Sequence, residues 1–383
     1  MGSQPMVTAS LPRQRGLIPL ITLLLLAVLV MAEAGGKQAL LLLIGAGLGI
    51  ALFAGSFGFA GSWRAFFVSR NATGIRAQFL VIAATATLFI PLMGLFPEQF
   101  GPAAAPIGSS LIIGAILFSL GMQLANGCAS GTLFATGGGS IRSSLALIGF
   151  VAGAFWASLD MEFFLDLPAF DPLLIASMTG WLPSLLISLA LALGAYLLFT
   201  KWDRSHTPLM PRAPRHWVGQ WGWMEAGILL VLLNCATLLV AGHPWSVTYG
   251  FTLWGAKIAT ALGMDLSDVA FWTWTRGSFA LANSSFLDTT SVMNIGLILG
   301  ASIFAIRSGR AMNGQTPPAI HLLAAVIGGL LMGYGARLSF GCNIGTFLAG
   351  TASGSLHGWV WFLVAFAVTP IGLRLRHMFG MGN

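Results

Sequence analysis

Apolar runs of about 20 residues recur along this 383-residue chain and constrain its fold more than any other feature. A helix of about 20 residues crosses the hydrocarbon core of a bilayer. Charged residues make up only 8% of the chain, against about 25% in a typical soluble domain. The sequence therefore predicts an all-α polytopic membrane protein with about nine or ten transmembrane helices in contact with lipid.

The basic residues fall mainly in short loops between the apolar runs, where they set the orientation of a membrane protein. The net charge of +7 is explained in this way and indicates no nucleic-acid partner. Alternation of the basic loops predicts that both chain ends lie on the cytoplasmic side. Lys257 and Arg276 are exceptions, because they fall on the predicted outer side. They belong to residues 245–290, which we interpret as short interfacial helices.

The start of the chain allows two interpretations. Residues 1–38 would comprise a polar tail and a first transmembrane helix over 17–34. A cleaved signal peptide is the alternative, because a basic segment and an apolar core precede Ala32-Glu33-Ala34. The retained helix is the favoured interpretation.

A duplicated motif contains two of the three cysteines. Residues 127–132 read Gly-Cys-Ala-Ser-Gly-Thr and residues 341–346 read Gly-Cys-Asn-Ile-Gly-Thr; we call them the first and second Gly-Cys stretches. Each follows a long apolar run. The offset that superimposes Cys128 on Cys342 also pairs other residues: Gly121 with Gly335, Gln123 with Arg337, and Ala135 with Ala349.

This duplication predicts an internal repeat within a single membrane domain. The first repeat would cover residues 39–180 and the second 223–383, with a linking helix and a basic, proline-containing loop over 181–222. The odd extra crossing in the linker turns the halves upside down relative to each other. Inverted repeats place a substrate site near the membrane midplane, between discontinuous helices.

The two Gly-Cys stretches would then be re-entrant loops that enter from opposite membrane faces. Non-helical backbone at membrane depth is tolerated where it is buried in protein or lines a polar cavity. Ordinary close packing of helices through small residues is the alternative explanation of the glycines. The proposed site residues within the stretches are Gly127, Cys128, Gly131, Thr132, Gly341, Cys342, Gly345 and Thr346.

The chemistry of these residues suits an anion that contains sulfur. A thiol is soft and polarisable, and the free N–H groups at a helix N-terminus bind anions. Thr132 and Thr346 would either cap a half-helix or donate to the substrate. A lone buried cysteine is usually an apolar filler, and we interpret Cys235 in that way.

Two arginines near the stretches receive different interpretations. Arg337 lies within an apolar run, and ionisable residues in such runs are functional candidates. It would attract an anion from the outer side, with snorkelling to the interface or an internal ion pair as alternatives. Arg142 is interpreted as a charge that sets topology.

The two Gly-Cys stretches, with Trp254-Gly255-Ala256-Lys257 and His243-Pro244-Trp245, resemble the YeeE/YedE family of bacterial sulfur-compound transporters. The resemblance covers roughly residues 40–375. It implies an inner-membrane importer of thiosulfate with an hourglass-like inverted-repeat body. It also implies that Cys128 and Cys342 pass thiosulfate along by S–H···S hydrogen bonds, and that a cytoplasmic sulfurtransferase often receives the sulfur.

One feature departs from that family. Many members carry a further cysteine in an Arg-Phe-Cys context after the first helix of the repeat. This chain reads Phe59-Ala60-Gly61-Ser62-Trp63-Arg64 there. A related sulfur or selenium compound is therefore an alternative substrate.

The sequence predicts no enzyme, no cofactor and no metal site. Its six histidines are scattered without the spacing of metal ligands, and it has no phosphate-binding loop. A membrane thiol-redox protein is the alternative from another class, although the chain contains no Cys-x-x-Cys pair.

Overall fold

The computed structural model describes residues 17–205, 207, 209, 221–311 and 316–382. Within these residues ten helical segments are long and apolar enough to cross a membrane. The protein is thus an all-α polytopic membrane protein, as the apolar runs predicted. The predicted polar tail and most of the proline-containing linker loop lie outside the described residues.

The first part of the chain contains ten helices and one minimal two-stranded ladder. They are α1 (Leu17–Ala34), α2 (Gly36–Gly55), α3 (Phe59–Ser69), α4 (Thr73–Leu95), β1 (Ile107–Gly108), α5 (Ser109–Ala125), α6 (Ala129–Gly137), α7 (Ile141–Leu159), α8 (Met161–Leu165), β2 (Ala169–Phe170), α9 (Ile175–Thr179) and α10 (Trp181–Trp202). The two strands pair antiparallel.

The second part continues with eight helices, a 3-10 turn and a π-helical turn. They are α11 (Trp223–Ala241), α12 (Thr248–Ala261), α13 (Ala270–Thr273), α14 (Thr275–Ala282), the 3-10 turn Ser285–Leu287, α15 (Thr289–Arg307), α16 (Ala319–Leu338), the π-helical turn Asn343–Leu348, α17 (Ala349–Ala352) and α18 (Leu356–Met378). The prediction of short helices over 245–290 is confirmed.

Glycines allow the central helices to approach closely. Gly49 on α2 lies against α15, and Gly300 on α15 lies against α2. A Cβ atom at either position would overlap a backbone carbonyl oxygen of the other helix. Gly153 on α7 and Gly333 on α16 make the same kind of contact between those two helices. Small residues at such spacing let transmembrane backbones pack by van der Waals contact. The small-residue packing considered for the Gly-Cys stretches therefore operates in these neighbouring helices.

Several contacts between helices occur twice. In these cases, where two helices pack together, the helices at the corresponding positions of the other half also pack together. Helix α7 packs on α16, and α18 packs on α5; α2 packs on α15, and α11 packs on α4. Helix α12 contacts α7, and α3 contacts α18. Helices α2 and α11 contact each other, as do α5 and α16. The residues of the first turn after each Gly-Cys stretch are mostly buried.

The outermost helices are α1 and α10, whose apolar side chains are mostly exposed. Helix α1 packs on α2 and α15, and α10 packs on α4.

Lys257, one of the exceptions to the charge pattern, lies on α12. Its ammonium donates to the carbonyl oxygens of Leu281 and Asn283, at 3.0 and 2.5 Å. Lys257 therefore holds the short helices together.

Candidate functional site

Each Gly-Cys stretch interrupts a membrane-spanning segment. Helix α5 ends at Ala125 and α6 begins at Ala129, while α16 ends at Leu338 and the π-helical turn follows. Both cysteines have extended backbone conformations and occupy the N-cap positions of the short helices. They lie in the interior, with Cys128 1% exposed and Cys342 fully buried.

The residue before each Gly-Cys pair has a left-handed backbone conformation. Asn126 has a φ of 65° and Phe340 a φ of 60°. Asparagine visits this region readily, whereas for a bulky aromatic residue the conformation is an outlier. The sequence pattern had predicted neither position, and only the Asn-Gly pair at 126–127 carries a recognisable turn signal. The duplicated motif therefore extends one residue further back in the structure than in the sequence.

The threonines lie inside the helical turns that follow the cysteines. The N–H groups of Thr132 and Thr346 donate to the carbonyl oxygens of Cys128 and Cys342, both at 2.8 Å. The Thr346 hydroxyl also donates to the Ser339 carbonyl oxygen at 3.0 Å. The N-cap role considered for the threonines thus belongs to the cysteines. Thr346 ties the second stretch to the end of α16.

The two stretches differ in the turn they form. Helix α6 is an ordinary α-helix, whereas the second stretch opens a π-helical turn in which the Cys342 carbonyl accepts from both Thr346 and Phe347. The Cys342 sulfur accepts from the Ile344 N–H at 3.4 Å. The Cys128 sulfur lies 3.6 Å from the Ser130 hydroxyl oxygen. π-Helical turns are rare and occur often at functional sites.

A cavity of about 940 Å³ opens beside the first stretch, and we call it the Cys128 cavity. Gly127, Cys128 and Gly131 all line it. Gly131 lies so close to Cys128 that a Cβ there would come within 3.3 Å of the sulfur. Cys128 is therefore part of the cavity wall, with Gly131 packed against its sulfur, although only 1% of the residue is exposed. Gly61 and Ser62 of α3 also line this cavity, so the segment without the family's further cysteine faces the same space.

Three arginines surround the end of α5 next to the Cys128 cavity. Arg64 and Arg376 both donate to the Asn126 side-chain oxygen, at 2.7 and 3.1 Å. Arg142, which was interpreted as a topology charge, lines the cavity and donates to the Leu124 carbonyl at 2.7 Å. These positive charges lie at the negative end of the α5 dipole. The sequence could not place Arg64 and Arg376 here, because they come from distant helices.

A second cavity of about 240 Å³ contains Arg337 in its wall, and we call it the Arg337 cavity. The half-buried Arg337 guanidinium lies 4.9 Å from the centre of the Phe271 ring. Arg276, which also lines this cavity, lies 4.2 Å from the Tyr249 ring centre. Neither arginine forms an ion pair with any described residue. The internal ion pair considered for Arg337 is therefore absent from the described part of the chain.

His243 adds a titratable group to the Arg337 cavity. Burial lowers the pKa of its imidazole below the ordinary value of 6.5, and the nearby charges of Arg276 and Lys37 lower it further. The carboxylate of Asp288 and a hydrogen bond to the Pro244 carbonyl act in the opposite direction. Burial is thus the main cause of the lowered pKa of His243.

The two cavities lie at opposite ends of the same helices. Trp223 at the start of α11 lines the Cys128 cavity, and His243 just after its end lines the Arg337 cavity. For α15 the order is reversed: Thr290 near its start lines the Arg337 cavity, and Gly309 beyond its end lines the Cys128 cavity. Cys342 is fully buried and lines neither cavity.

The second stretch approaches the Arg337 cavity from the protein interior. A Cβ at Gly345 would come within 3.2 Å of the Ser246 hydroxyl oxygen, and Ser246 lines the Arg337 cavity. Phe340 lines the same cavity. The first stretch therefore faces one end of α11 and α15, and the second stretch lies towards the other end.

The three cysteines are all free. Cys235 lies on α11, half-buried against an apolar cluster that includes Phe89 and Leu238. It lines neither of the two cavities. Its surroundings match the apolar filler that the sequence indicated.

Comparison with known proteins connects this architecture to transport. A family model described as sulphur transport matches residues 54–370. A thiosulfate transporter, TsuA of Spirochaeta thermophila, is 27% identical over 342 residues, which cover 83% of this chain and 93% of that protein. TsuA of Escherichia coli is 25% identical over 331 residues, or 83% of this chain and 89% of that protein.

A shorter match involves the probable transporter YedE of Escherichia coli. It is 27% identical over 160 residues, which cover 39% of this chain and 39% of YedE. The chain therefore aligns with well under half of that relative's length.

Proposed function

Because this chain belongs to the sulphur transport family, we propose that it imports a small sulfur-containing anion, thiosulfate, across the bacterial inner membrane. The observation that carries the proposal is the position of Cys128. This residue lines a large cavity and is the N-cap of a short helix buried among membrane-spanning helices. Two relatives aligned over most of their length are named thiosulfate transporters, which supports the choice of substrate.

Entry would take place through the Arg337 cavity. Arg276 and Arg337 line it with guanidinium groups that stack on aromatic rings and have no carboxylate partner among the described residues. Clefts lined by one sign of charge raise the local concentration of ions of the opposite sign. We assign Arg337 the role of attracting the anion on the outer side.

Transfer between the cavities would use the two thiols. A thiosulfate ion has a soft terminal sulfur and three hard oxygens. Cys342 and Cys128 offer soft S–H donors, and backbone N–H groups in the first turns of the short helices suit the negative charge. Gly127, Gly131, Gly341 and Gly345 would keep the backbone accessible, while Thr132 and Thr346 hold the turns together. Weak S–H···S contacts would let the ion move on.

Release would take place through the Cys128 cavity on the cytoplasmic side. Arg142 lines it, and Arg64 and Arg376 lie at its edge around Asn126. A cytoplasmic sulfurtransferase is the partner that the family resemblance implies at this face. Acidic residues on that partner would complement the arginines.

We also propose the domain organisation of the molecule. Residues 39–180 and 223–383 would be inverted repeats, linked by 181–222 and preceded by 1–38. Its support is the doubled set of helix contacts, in which α7 with α16 corresponds to α18 with α5. The opposite placement of the two Gly-Cys stretches relative to α11 and α15 agrees with this inversion.

The test is uptake of radiolabelled thiosulfate into cells that lack other thiosulfate transporters. We expect Cys128→Ala and Cys342→Ala to lose at least about 90% of uptake while the proteins stay in the membrane. Cys235→Ala is the matched control and should retain uptake, because Cys235 lines neither cavity. Wild-type uptake of both cysteine variants would contradict the cysteine mechanism.

A parallel panel tests the alternative substrates. Unlabelled thiosulfate, selenosulfate, sulfite and sulfate would compete with the labelled ion in the wild-type protein. Strongest competition by thiosulfate supports the proposal. Strongest competition by selenosulfate would favour a selenium compound instead. An absence of any labelled uptake would overturn the function itself.

A further inference from the structure

Asn343 is the residue that follows Cys342, and its side chain is fully buried. Neither its amide nitrogen nor its amide oxygen has a hydrogen-bond partner in the described part of the chain. Among the described residues it is the only side chain with two such buried, unpartnered atoms. Burial of a polar group without a hydrogen bond costs free energy. An orphaned amide in native protein therefore requires an explanation.

The position of Asn343 indicates what the amide is for. Asn343 opens the π-helical turn, directly after the N-cap thiol of Cys342. The corresponding residue of the first stretch, Ala129, opens an ordinary α-helix and carries no polar group. The orphaned amide and the π-helical turn thus occur together, at only one of the two duplicated stretches. A difference of this kind is not needed for the repeated fold.

We propose that the Asn343 amide binds the oxygen atoms of the transported anion as it passes Cys342. This inference rests on the proposed function and adds a second recognition element to it. The amide N–H group would donate to an oxygen of a sulfur oxyanion, while the neighbouring thiol contacts the sulfur end. The amide oxygen would accept from a water molecule that accompanies the ion. Asn343 is thus assigned a role in selecting sulfur anions that carry oxygen.

The chemical logic is that of a site built around an unpaired donor. Such a site discriminates strongly against a ligand that leaves the donor without a hydrogen bond. This discrimination is stronger than that of an apolar pocket against a ligand of altered size. A hydrogen bond to a charged group is also stronger than one between neutral groups. The free energy lost when the protein is empty would therefore be recovered when the oxyanion is bound.

The first experiment compares Asn343→Leu with the wild type in proteoliposomes supplied with labelled thiosulfate. Leucine branches at the same carbon as asparagine but has no hydrogen-bonding group. We expect the half-saturation concentration to rise by about tenfold, which is the loss expected for a hydrogen bond to a charged group. Asn343→Ser keeps a hydrogen-bond donor, so its half-saturation concentration should lie between those of the wild type and Asn343→Leu. An unchanged half-saturation concentration in Asn343→Leu would overturn the proposal.

The second experiment separates this role from a structural one. In the absence of anion, Asn343→Leu should raise the unfolding temperature of the purified protein by roughly 1–4 °C, because it removes an unsatisfied buried group. Asn234→Leu is the matched control. Its side-chain oxygen accepts from the backbone N–H of Trp245 at 3.3 Å, so this substitution should lower the unfolding temperature. A lower unfolding temperature for Asn343→Leu would contradict the proposal.

Thiosulfate itself distinguishes the failure of this inference from the failure of the proposed function. Saturating thiosulfate should raise the unfolding temperature of the wild type, and of Asn343→Leu much less. If wild-type liposomes take up no thiosulfate, the transport proposal fails. The Asn343 proposal then stands or falls on this thermal shift alone. An equal shift in both proteins would overturn it.

Discussion

Gly341 lies against the side chain of Thr346, and a Cβ at Gly341 would come within 2.5 Å of the Thr346 hydroxyl oxygen. At the corresponding place in the first stretch, a Cβ at Gly127 would lie 3.5 Å from the Thr132 hydroxyl oxygen, an ordinary contact. The same sequence frame thus has no room for a methyl group in one stretch and enough room in the other. The Thr346 hydroxyl is held in place by its bond to Ser339.

This difference predicts opposite outcomes for one substitution. Gly341→Ala should destabilise the protein by about 1–3 kcal/mol, the usual cost of overpacking, and should reduce thiosulfate uptake. Gly127→Ala should change the free energy of unfolding by less than about 0.5 kcal/mol. Thermal unfolding of the purified variants, with uptake measured in parallel, checks both values. Equal effects at the two glycines would show that the stretches are locally equivalent.

The sequence predicted those features that depend on local composition. Apolar runs specified the spanning helices, and the duplicated Gly-Cys frame specified where two of them break. The mixed composition of 245–290 indicated short helices, which the structure contains. These predictions succeeded because helix length and backbone breaks are encoded by neighbouring residues.

The missing features depend on contacts between distant parts of the chain. Arg376 reaches Asn126 across 250 positions in the sequence, and no local pattern reports such a contact. The left-handed conformation of Phe340 opposes the preference of an aromatic residue. The lack of a partner for the Asn343 amide depends on the positions of all the described groups around it, which no local pattern reports. Local rules fail at these three residues, and all lie at the candidate site, where such conflicts are expected.

Asn126 offers a test of the arginines at the Cys128 cavity. Asn126→Asp keeps a residue that tolerates the left-handed conformation and gives Arg64 and Arg376 a charged partner. We expect a higher unfolding temperature together with uptake reduced by about threefold or more, because the added carboxylate repels an anion in the cavity. Asn126→Gly is the control that keeps the backbone conformation without the charge. Unchanged uptake in Asn126→Asp would show that the anion does not pass these arginines.

Arg337 offers the corresponding test in the other cavity. Arg337→Gln should raise the half-saturation concentration for thiosulfate by about three- to tenfold and make uptake less sensitive to ionic strength. Arg337→Lys keeps the charge but loses the planar contact with Phe271, so its effect should be smaller. The matched control is Lys37→Gln, since Lys37 is exposed, lies near His243 and lines neither cavity. Similar effects of Arg337→Gln and Lys37→Gln would indicate nonspecific surface charge.

His243 predicts a dependence of stability on pH. Burial, Arg276 and Lys37 lower the pKa of this imidazole below its ordinary value of 6.5, despite the opposing charge of Asp288. A lowered pKa in the folded protein means that protons bind the unfolded chain more readily. The contribution of His243 to stability is therefore complete above pH 6.5 and declines as the pH falls towards the lowered pKa.

The measurement is the unfolding temperature of the purified protein between pH 7.5 and pH 5, at constant ionic strength. We expect His243→Gln to lose less stability over this range than the wild type, because glutamine does not titrate. Arg276→Gln should also lose less, since removal of the neighbouring positive charge brings the pKa of His243 back towards its ordinary value. Parallel declines in the wild type and His243→Gln would mean that other groups govern the acid range. If Arg276 acts through His243, the double variant His243→Gln/Arg276→Gln should lose as much stability over this pH range as His243→Gln alone. Without the imidazole, Arg276 has no protonation equilibrium at this position to shift.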